Sequence, residues 1–133
     1  MVQKQIRLVK DIQDDLSLCG DEMALSQLLI ILLDNAMKYS PERTTVTLRV
    51  AGVKDRLVVE VRDEGIGVSD ENKQKIFDRF FRVDKARSRS QGGLGLGLSL
   101  AWAIVRQHGG SIKVLDNKPK GMIMYVQLPK HGS

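Results

Sequence analysis

An alternating strand pattern that ends on a charged residue stands near the middle of this chain. The side chains of Leu57, Val59, Val61 and Asp63 share one face of the predicted strand, so a carboxylate completes an otherwise apolar row. An unpaired charge on an apolar face is costly, and this carboxylate therefore needs hydrogen-bond donors. The segment therefore predicts a strand with one buried face and a carboxylate at its end that is directed toward the interior.

The remaining patterns place helices between paired strands. Residues 21–39 carry apolar side chains at the spacing of one helical face, with Asp21 as the predicted cap. The other predicted elements are an early strand over 6–12, a hairpin of 45–51 and 57–63, a short helix from Ser69 or Asp70 to Phe77, a second long helix, and strands over 112–115 and 122–128. This order favours an α/β two-layer sandwich with helices on one face of a mixed sheet.

The composition indicates one domain without a membrane span. Of 133 residues 42% are hydrophobic, and no apolar run approaches the roughly 20 residues that cross a bilayer. Cys19 is the only cysteine, which excludes an internal disulfide, and we expect a reducing cytoplasm. The formal charge of +5 permits phosphorylated ligands, anionic lipid or nucleic acid. Nucleic acid is disfavoured, because Phe80 and Phe81 are adjacent and not spaced as a stacking platform.

A glycine-rich run opens the second long helix, whose apolar face is predicted from Leu98, Trp102 and Val105 and whose end is predicted at His108. Free N–H groups at the start of a helix attract anions, so the run Gly93-Leu94-Gly95-Leu96-Gly97 suggests a phosphate site. It is neither a dinucleotide fingerprint nor a P-loop, because the third glycine and the Gly-Lys-Ser/Thr are missing. Simple flexibility of a glycine loop is the alternative.

Two further groups of polar residues are candidates for chemistry. Asn35, Lys38 and Tyr39 project from one side of the first long helix, where an amide oxygen can hold a hard cation and a lysine can meet a phosphate. A polar helix end is the alternative. The donors to Asp63 are either the amine of an adenine or backbone N–H groups of the turn that contains Gly65, and the residues alone leave both open.

Four segments in this order resemble the N, G1, F and G2 boxes of bacterial sensor histidine kinases. They are residues 33–40 (LDNAMKYS), 63–67 (DEGIG), 76–82 (IFDRFFR) and 93–98 (GLGLGL). The resemblance covers about residues 6–129 and implies one catalytic ATP-binding domain of the GHKL superfamily over residues 1–133. It implies the Bergerat fold, with about five strands covered on one face by about three helices.

The resemblance also implies a role for each matching residue. Asn35 would be the Mg²⁺ ligand, Lys38 a phosphate contact, Tyr39 a wall of the nucleoside pocket, Asp63 the adenine anchor, and Gly65 and Gly67 the lining of the base pocket. An ATP lid would begin after Phe77, which would contact the nucleotide, and would extend over about residues 78–94, with Arg82 as a phosphate contact. The triphosphate would be surrounded by Gly93, Leu94, Gly95, Leu96, Gly97 and Leu98. The basic segment 79–89, by itself a solvated loop, would then be a cationic cover for ATP.

Two positions depart from the family pattern. Ile31 stands one turn before Asn35, where these kinases usually have Asn and the related ATPases have a catalytic Glu, which disfavours a hydrolytic ATPase. Lys120-Gly121-Met122 stands where these kinases commonly have Lys-Gly-Thr, a tolerable change at the start of the last strand. A degenerate nucleotide-binding interaction module is a further alternative that the intact motifs disfavour.

The phosphoacceptor implied by the resemblance is absent from this sequence. No motif similar to His-Glu-Leu-Arg-Thr-Pro occurs, and the two histidines are His108, expected to be structural, and His131. We therefore expect ATP and Mg²⁺ as ligands, and as partners a histidine-containing dimerisation domain of the same parent and a downstream response regulator. The domain is expected in the cytoplasm, without membrane insertion of its own, as part of an inner-membrane sensor kinase.

Overall fold

A mixed sheet of five strands carries the domain. The computed structural model describes residues 5–13, 22–73, 75–77, 97–118 and 120–129. The strands are β1 (Arg7–Ile12), β2 (Thr45–Val53), β3 (Arg56–Arg62), β4 (Ser111–Asp116) and β5 (Met122–Pro129), in the spatial order β1-β2-β3-β5-β4. β1 pairs with β2 in parallel, and the other neighbours are antiparallel.

Two α-helices and two short 3-10 turns complete the described structure. They are α1 (Glu22–Tyr39), α2 (Gly97–Gln107), and the turns Asp70–Asn72 and Lys75–Phe77. The side chains of Leu48, Val61, Met124 and Val114 lie next to one another across four strands on the buried face of the sheet. This row packs into one core with buried residues of both helices: Leu28, Leu32, Ala36, Ala101, Ile104 and Val105. The expected two-layer α/β architecture is therefore confirmed.

Most predicted elements are confirmed with small changes at their ends. The early strand, the hairpin, both long helices and the two final strands are all present. The short helix predicted from Ser69 or Asp70 to Phe77 is present as two 3-10 turns and not as an α-helix in its described residues. The N–H of Lys73 bonds to the carbonyl of Asp70, three positions back. No helix in the described part of the chain is long and apolar enough to cross a membrane.

The apolar face predicted for α2 is wrong at one position. Trp102 is 45% exposed, whereas its neighbour Ala101 is fully buried. The core face of α2 is centred on Ala101 and Val105. Successive residues of an α-helix are about 100° apart around its axis, so the side chain of Trp102 points away from this core face. The guanidinium of Arg106 lies over the Trp102 ring, 5.4 Å from its centroid.

Candidate functional site

Asp63 lies directly after β3 and is only 2% exposed. Its carboxylate Oδ1 accepts hydrogen bonds from the N–H of Gly65 at 2.9 Å and from the N–H of Met122 at 3.2 Å. Its own N–H donates to the carbonyl of Met122 at 3.0 Å. Within the described structure, both donors to the carboxylate therefore reach one oxygen, and Oδ2 is left for a further donor.

Burial is the main influence on the pKa of the Asp63 carboxyl. It raises the pKa of the Asp63 carboxyl above its ordinary value, and the N–H groups of Gly65 and Met122 lower that pKa by a smaller amount. The charged form is thus under-stabilised, so an added donor on Oδ2 would favour it. A ligand that carries an amine fits this carboxylate better than one that presents a carbonyl oxygen.

Glycines bring three chain segments close together at the site. A Cβ on Gly65 would lie 2.5 Å from the carbonyl oxygen of Tyr39, and a Cβ on Gly67 would lie 3.2 Å from the carbonyl oxygen of Gly121. Gly121 has φ +102°, and a Cβ there would overlap the carbonyl oxygen of Asp63. The turn after β3 is therefore held between the end of α1 and the start of β5.

The last two turns of α1 supply the polar residues of the first motif. Asn35 is half-buried, and its side-chain Nδ2 is buried without a hydrogen-bond partner in the part of the chain that the structure describes. The oxygen and nitrogen of such an amide are assigned from their partners, so this buried position can equally hold the oxygen. An oxygen there is a suitable ligand for Mg²⁺, a cation that prefers oxygen donors.

Lys38 and Tyr39 follow on the same helix. The ammonium of Lys38 lies 3.2 Å from a carboxylate oxygen of Asp34, one turn earlier. Both side chains of this ion pair are partly exposed, so the pair is weak and readily exchanged for another anion. Tyr39 is half-buried and its backbone carbonyl contacts the Gly65 turn, as described above.

The residues expected near the phosphates are only partly described. Phe77 and Leu98 are half-buried against the core. Gly97 is the first residue of α2, and a Cβ added to it would lie 3.5 Å from Cγ2 of Ile31. The expected contacts at Arg82, Gly93, Leu94, Gly95 and Leu96, and the lid over 78–94, lie outside the described residues.

The sequence reading missed part of the site, which is the turn between β4 and β5. The side-chain Nδ2 of Asn117 donates to the carbonyl of Asp63 at 2.7 Å. The backbone N–H of Met122 donates to the Asp63 carboxylate, and its carbonyl accepts from the Asp63 N–H. Residues 116–121, between the two final strands, have the composition of a turn, which does not indicate the distant partner of that turn.

His108 lies at the end of α2, as expected. Its Nδ1 is 2.8 Å from the carbonyl oxygen of Ile104. The N–H groups of Gly109 and Gly110 bond back to Arg106 and Val105, the paired bonds of a Schellman motif. The 11 residues of α2 separate this end from Gly97 by about 16 Å.

The chain matches one protein family over residues 20–132, the histidine kinase-, DNA gyrase B- and HSP90-like ATPases. It is 51% identical over 108 residues to the sensor protein CiaH of Streptococcus pneumoniae, a match that covers 81% of this chain and 24% of the relative. It is 46% identical over 95 residues to the signal transduction histidine-protein kinase ArlS of Staphylococcus aureus, covering 71% of this chain and 21% of that protein. The chain thus spans about a quarter of the length of these relatives.

The fold also matches solved structures of histidine kinases. The catalytic domain of histidine kinase ThkA superposes with a TM-score of 0.83 at 27% identity, covering 96% of this chain and 82% of that one. ThkA has also been solved in complex with the response regulator protein TrrA, and that structure covers 96% of this chain and 35% of ThkA at a TM-score of 0.79 and 26% identity. From the family match over residues 20–132, this chain belongs to the histidine kinase-, DNA gyrase B- and HSP90-like ATPases.

Proposed function

We propose that this chain binds Mg-ATP and supplies its γ-phosphoryl group to a histidine on a separate dimerisation domain of the same parent protein. The observation that carries the proposal is the buried carboxylate of Asp63, which takes two backbone donors on Oδ1 and none from the described residues on Oδ2. The exocyclic amine of adenine supplies the missing donor. Guanine has a carbonyl oxygen at that position, which would face the carboxylate and repel it.

The proposed magnesium ligand is Asn35. Its buried amide atom has no partner in the described structure, which fits a residue that acquires its partner with the ligand. When bound, Mg²⁺ would neutralise charge on the triphosphate. Lys38, which forms an ion pair with the exposed Asp34, would exchange that weak pair for a phosphate oxygen.

The glycines and the basic segment complete the proposed binding mode. Gly65 and Gly67 would line the base beside Tyr39. Phe77 and Leu98 would flank the phosphate region, with Arg82 and residues 93–97 around the triphosphate. A cationic cover suits a ligand with a charge of roughly −4 and would exclude water from the reaction.

The acceptor of the phosphoryl group is proposed to lie outside this chain. Transfer needs a nucleophile held in line with the γ-phosphate, and His108 is about 16 Å from the start of α2 with Nδ1 against a backbone carbonyl. The sensor-kinase relatives support an acceptor domain in a longer parent, which we propose to be an inner-membrane sensor. Because ThkA has been solved with a response regulator, we propose a response regulator as the next partner.

Hydrolysis of ATP by this chain alone is disfavoured by Ile31. Activation of water requires a base within hydrogen-bond reach, and this helical position instead carries an apolar side chain packed towards Gly97. We therefore propose that water is a poor acceptor in this site.

Calorimetric titration with ATP and GTP tests the binding part of the proposal. We expect a strong preference for ATP, and Asp63→Asn should weaken ATP binding by about 1.5 to 3 kcal/mol, the range for a hydrogen bond to a charged group. Asp55→Asn is the matched control, because Asp55 is an exposed residue of the β2–β3 turn. Equal affinity for the two nucleotides would overturn the assignment of Asp63.

A further inference from the structure

We infer that Asn117 is a positioning residue for nucleobase selection, which acts by holding Asp63 through the turn between β4 and β5. This inference rests on the proposed function, because it assigns Asn117 to the same adenine carboxylate. Asn117 lies outside every motif that carried the family resemblance. Its contribution follows from where its side chain reaches, 54 residues back along the chain to the carbonyl of Asp63.

The side chain of Asn117 is fixed at both ends. Its Nδ2 donates to the carbonyl oxygen of Asp63 at 2.7 Å, and its Oδ1 accepts from the N–H of Lys118 at 3.0 Å. Each end of the amide therefore has the partner its chemistry requires, and these partners fix which end is nitrogen. The backbone N–H of Asn117 closes the turn with the carbonyl of Gly121 at 3.1 Å.

These three bonds divide into two groups. The bonds to Lys118 and Gly121 stay within the turn. The bond from Nδ2 leaves the turn and reaches Asp63. Removing only this donor separates a role in positioning Asp63 from a role in turn formation.

The same turn contacts Asp63 at two further points. Gly121 lies so close to the Asp63 carbonyl that a side chain there would overlap it, and the N–H of Met122 bonds to the carboxylate Oδ1. Asn117 thus holds the backbone carbonyl of Asp63, while Met122 bonds to its backbone N–H and shares its carboxylate Oδ1 with Gly65. A shift of the backbone would move Oδ2 relative to a bound base, and hydrogen bonds lose strength steeply when their geometry changes.

The turn is itself anchored to another part of the domain. The ammonium of Lys73 lies 3.0 Å from Asp116 and 2.5 Å from Asp70, so it links the end of β4 to the first 3-10 turn. Asp116 pairs with Met122 in the sheet, which places the anchored end of β4 beside the strand that bonds to Asp63. Asn117 is therefore the side chain through which a fixed turn reaches the adenine site.

The test uses Asn117→Asp, which keeps the size and the acceptor for Lys118 but removes the donor to Asp63. Kd for ATP and for GTP is measured by calorimetry on the whole chain, well below the melting temperature of each variant. We expect Kd for ATP to rise about three- to tenfold, the effect of losing one hydrogen bond, and Kd for GTP to change by less than about twofold. Asn117→Ala should reduce the preference for ATP over GTP, measured as the ratio of the two Kd values (the ATP-to-GTP ratio), to the same extent without introducing a charge.

Two comparisons make the result specific. Lys118→Ala changes an exposed side chain of the same turn and should leave the ATP-to-GTP ratio unchanged. In the double variant with Asp63→Asn, the loss at Asn117 should largely disappear, because the two residues act as one unit. A lower melting temperature with an unchanged ratio would show that Asn117 only stabilises the turn and would overturn the inference. A wild-type chain without preference for ATP would instead overturn the proposed function, and this inference with it.

Discussion

The main chain of Gly65 packs against the carbonyl oxygen of Tyr39 so closely that a Cβ on Gly65 would lie 2.5 Å from it. Tyr39 is the last residue of α1, and Gly65 belongs to the turn that donates to Asp63. The end of the helix that carries Asn35 and the turn that carries the buried carboxylate are therefore in direct contact. This backbone contact links the helix of the proposed metal ligand to the turn beside the proposed adenine anchor.

We predict that Gly65→Ala destabilises the domain by about 1 to 3 kcal/mol, the usual cost of overpacking, and weakens ATP binding. The added methyl group meets a backbone atom that cannot rotate away. Gly97→Ala is the structural control, because its methyl group would meet Ile31 at the ordinary distance of 3.5 Å and alanine is the better helix former. Urea unfolding of both variants checks this, and equal stability of Gly65→Ala and wild type would contradict the contact.

A second prediction concerns acid–base behaviour without nucleotide. Since burial raises the pKa of Asp63 in the folded state, its stabilising contribution is present below the unfolded pKa and is lost as the pH rises through the folded pKa. At neutral pH the wild type therefore bears the cost of a buried charge. Asp63→Asn should melt at the same or a higher temperature than wild type at pH 7, and the difference should shrink as the pH falls towards the range of carboxyl titration.

Asp70 gives the control of opposite sign. A hydrogen bond from Lys73 and its charge lower the pKa of Asp70, so its contribution is present at neutral pH and is lost as the pH falls through the folded pKa. Asp70→Asn should therefore lower the melting temperature slightly at pH 7. Calorimetric melting of both variants and the wild type between pH 4 and pH 7 measures the two opposite effects on the melting temperature. A marked loss of stability in Asp63→Asn at pH 7 would contradict the cost assigned to burying the Asp63 charge.

The third prediction separates metal recognition from base recognition. Asn35→Ala should reduce the gain in ATP affinity on adding Mg²⁺, because it removes the proposed oxygen ligand. Binding of adenosine, or of ADP without metal, should be nearly unaffected, since Asp63 is unchanged. Titrations with and without Mg²⁺ measure this difference, and an unaltered magnesium dependence would remove Asn35 from the site.

Much of this fold was predictable because its patterns are periodic. The row of Leu57, Val59, Val61 and Asp63 was assigned to the interior from alternation alone, and all four residues are buried. Trp102 was misassigned because several faces of a short apolar helix satisfy the same spacing. Which face is buried depends on the packing of α2 against its neighbours, and sequence spacing does not contain that information.

The site was less predictable than the fold. The alternatives for Asp63 were backbone donors or a ligand, and the described structure supplies backbone donors to Oδ1 only. Met122 is one of those donors although its side chain gave no signal, since a backbone N–H is common to all residues except proline. The bond from Asn117 joins positions 54 residues apart, and a single sequence contains no pattern for such a pair.

Transfer of phosphate tests the proposed function most directly. The chain is incubated with ATP labelled on the γ-phosphate, alone and together with the dimerisation domain of its own parent. We predict acid-labile label on the dimerisation domain only, with little label on this chain and slow release of phosphate when it is alone. The proposed nucleophile belongs to the other domain, and the apolar side chain of Ile31 cannot activate water. If this chain acquired acid-labile label in the absence of the dimerisation domain, or released phosphate rapidly, the result would contradict a catalytic domain that depends on a separate histidine.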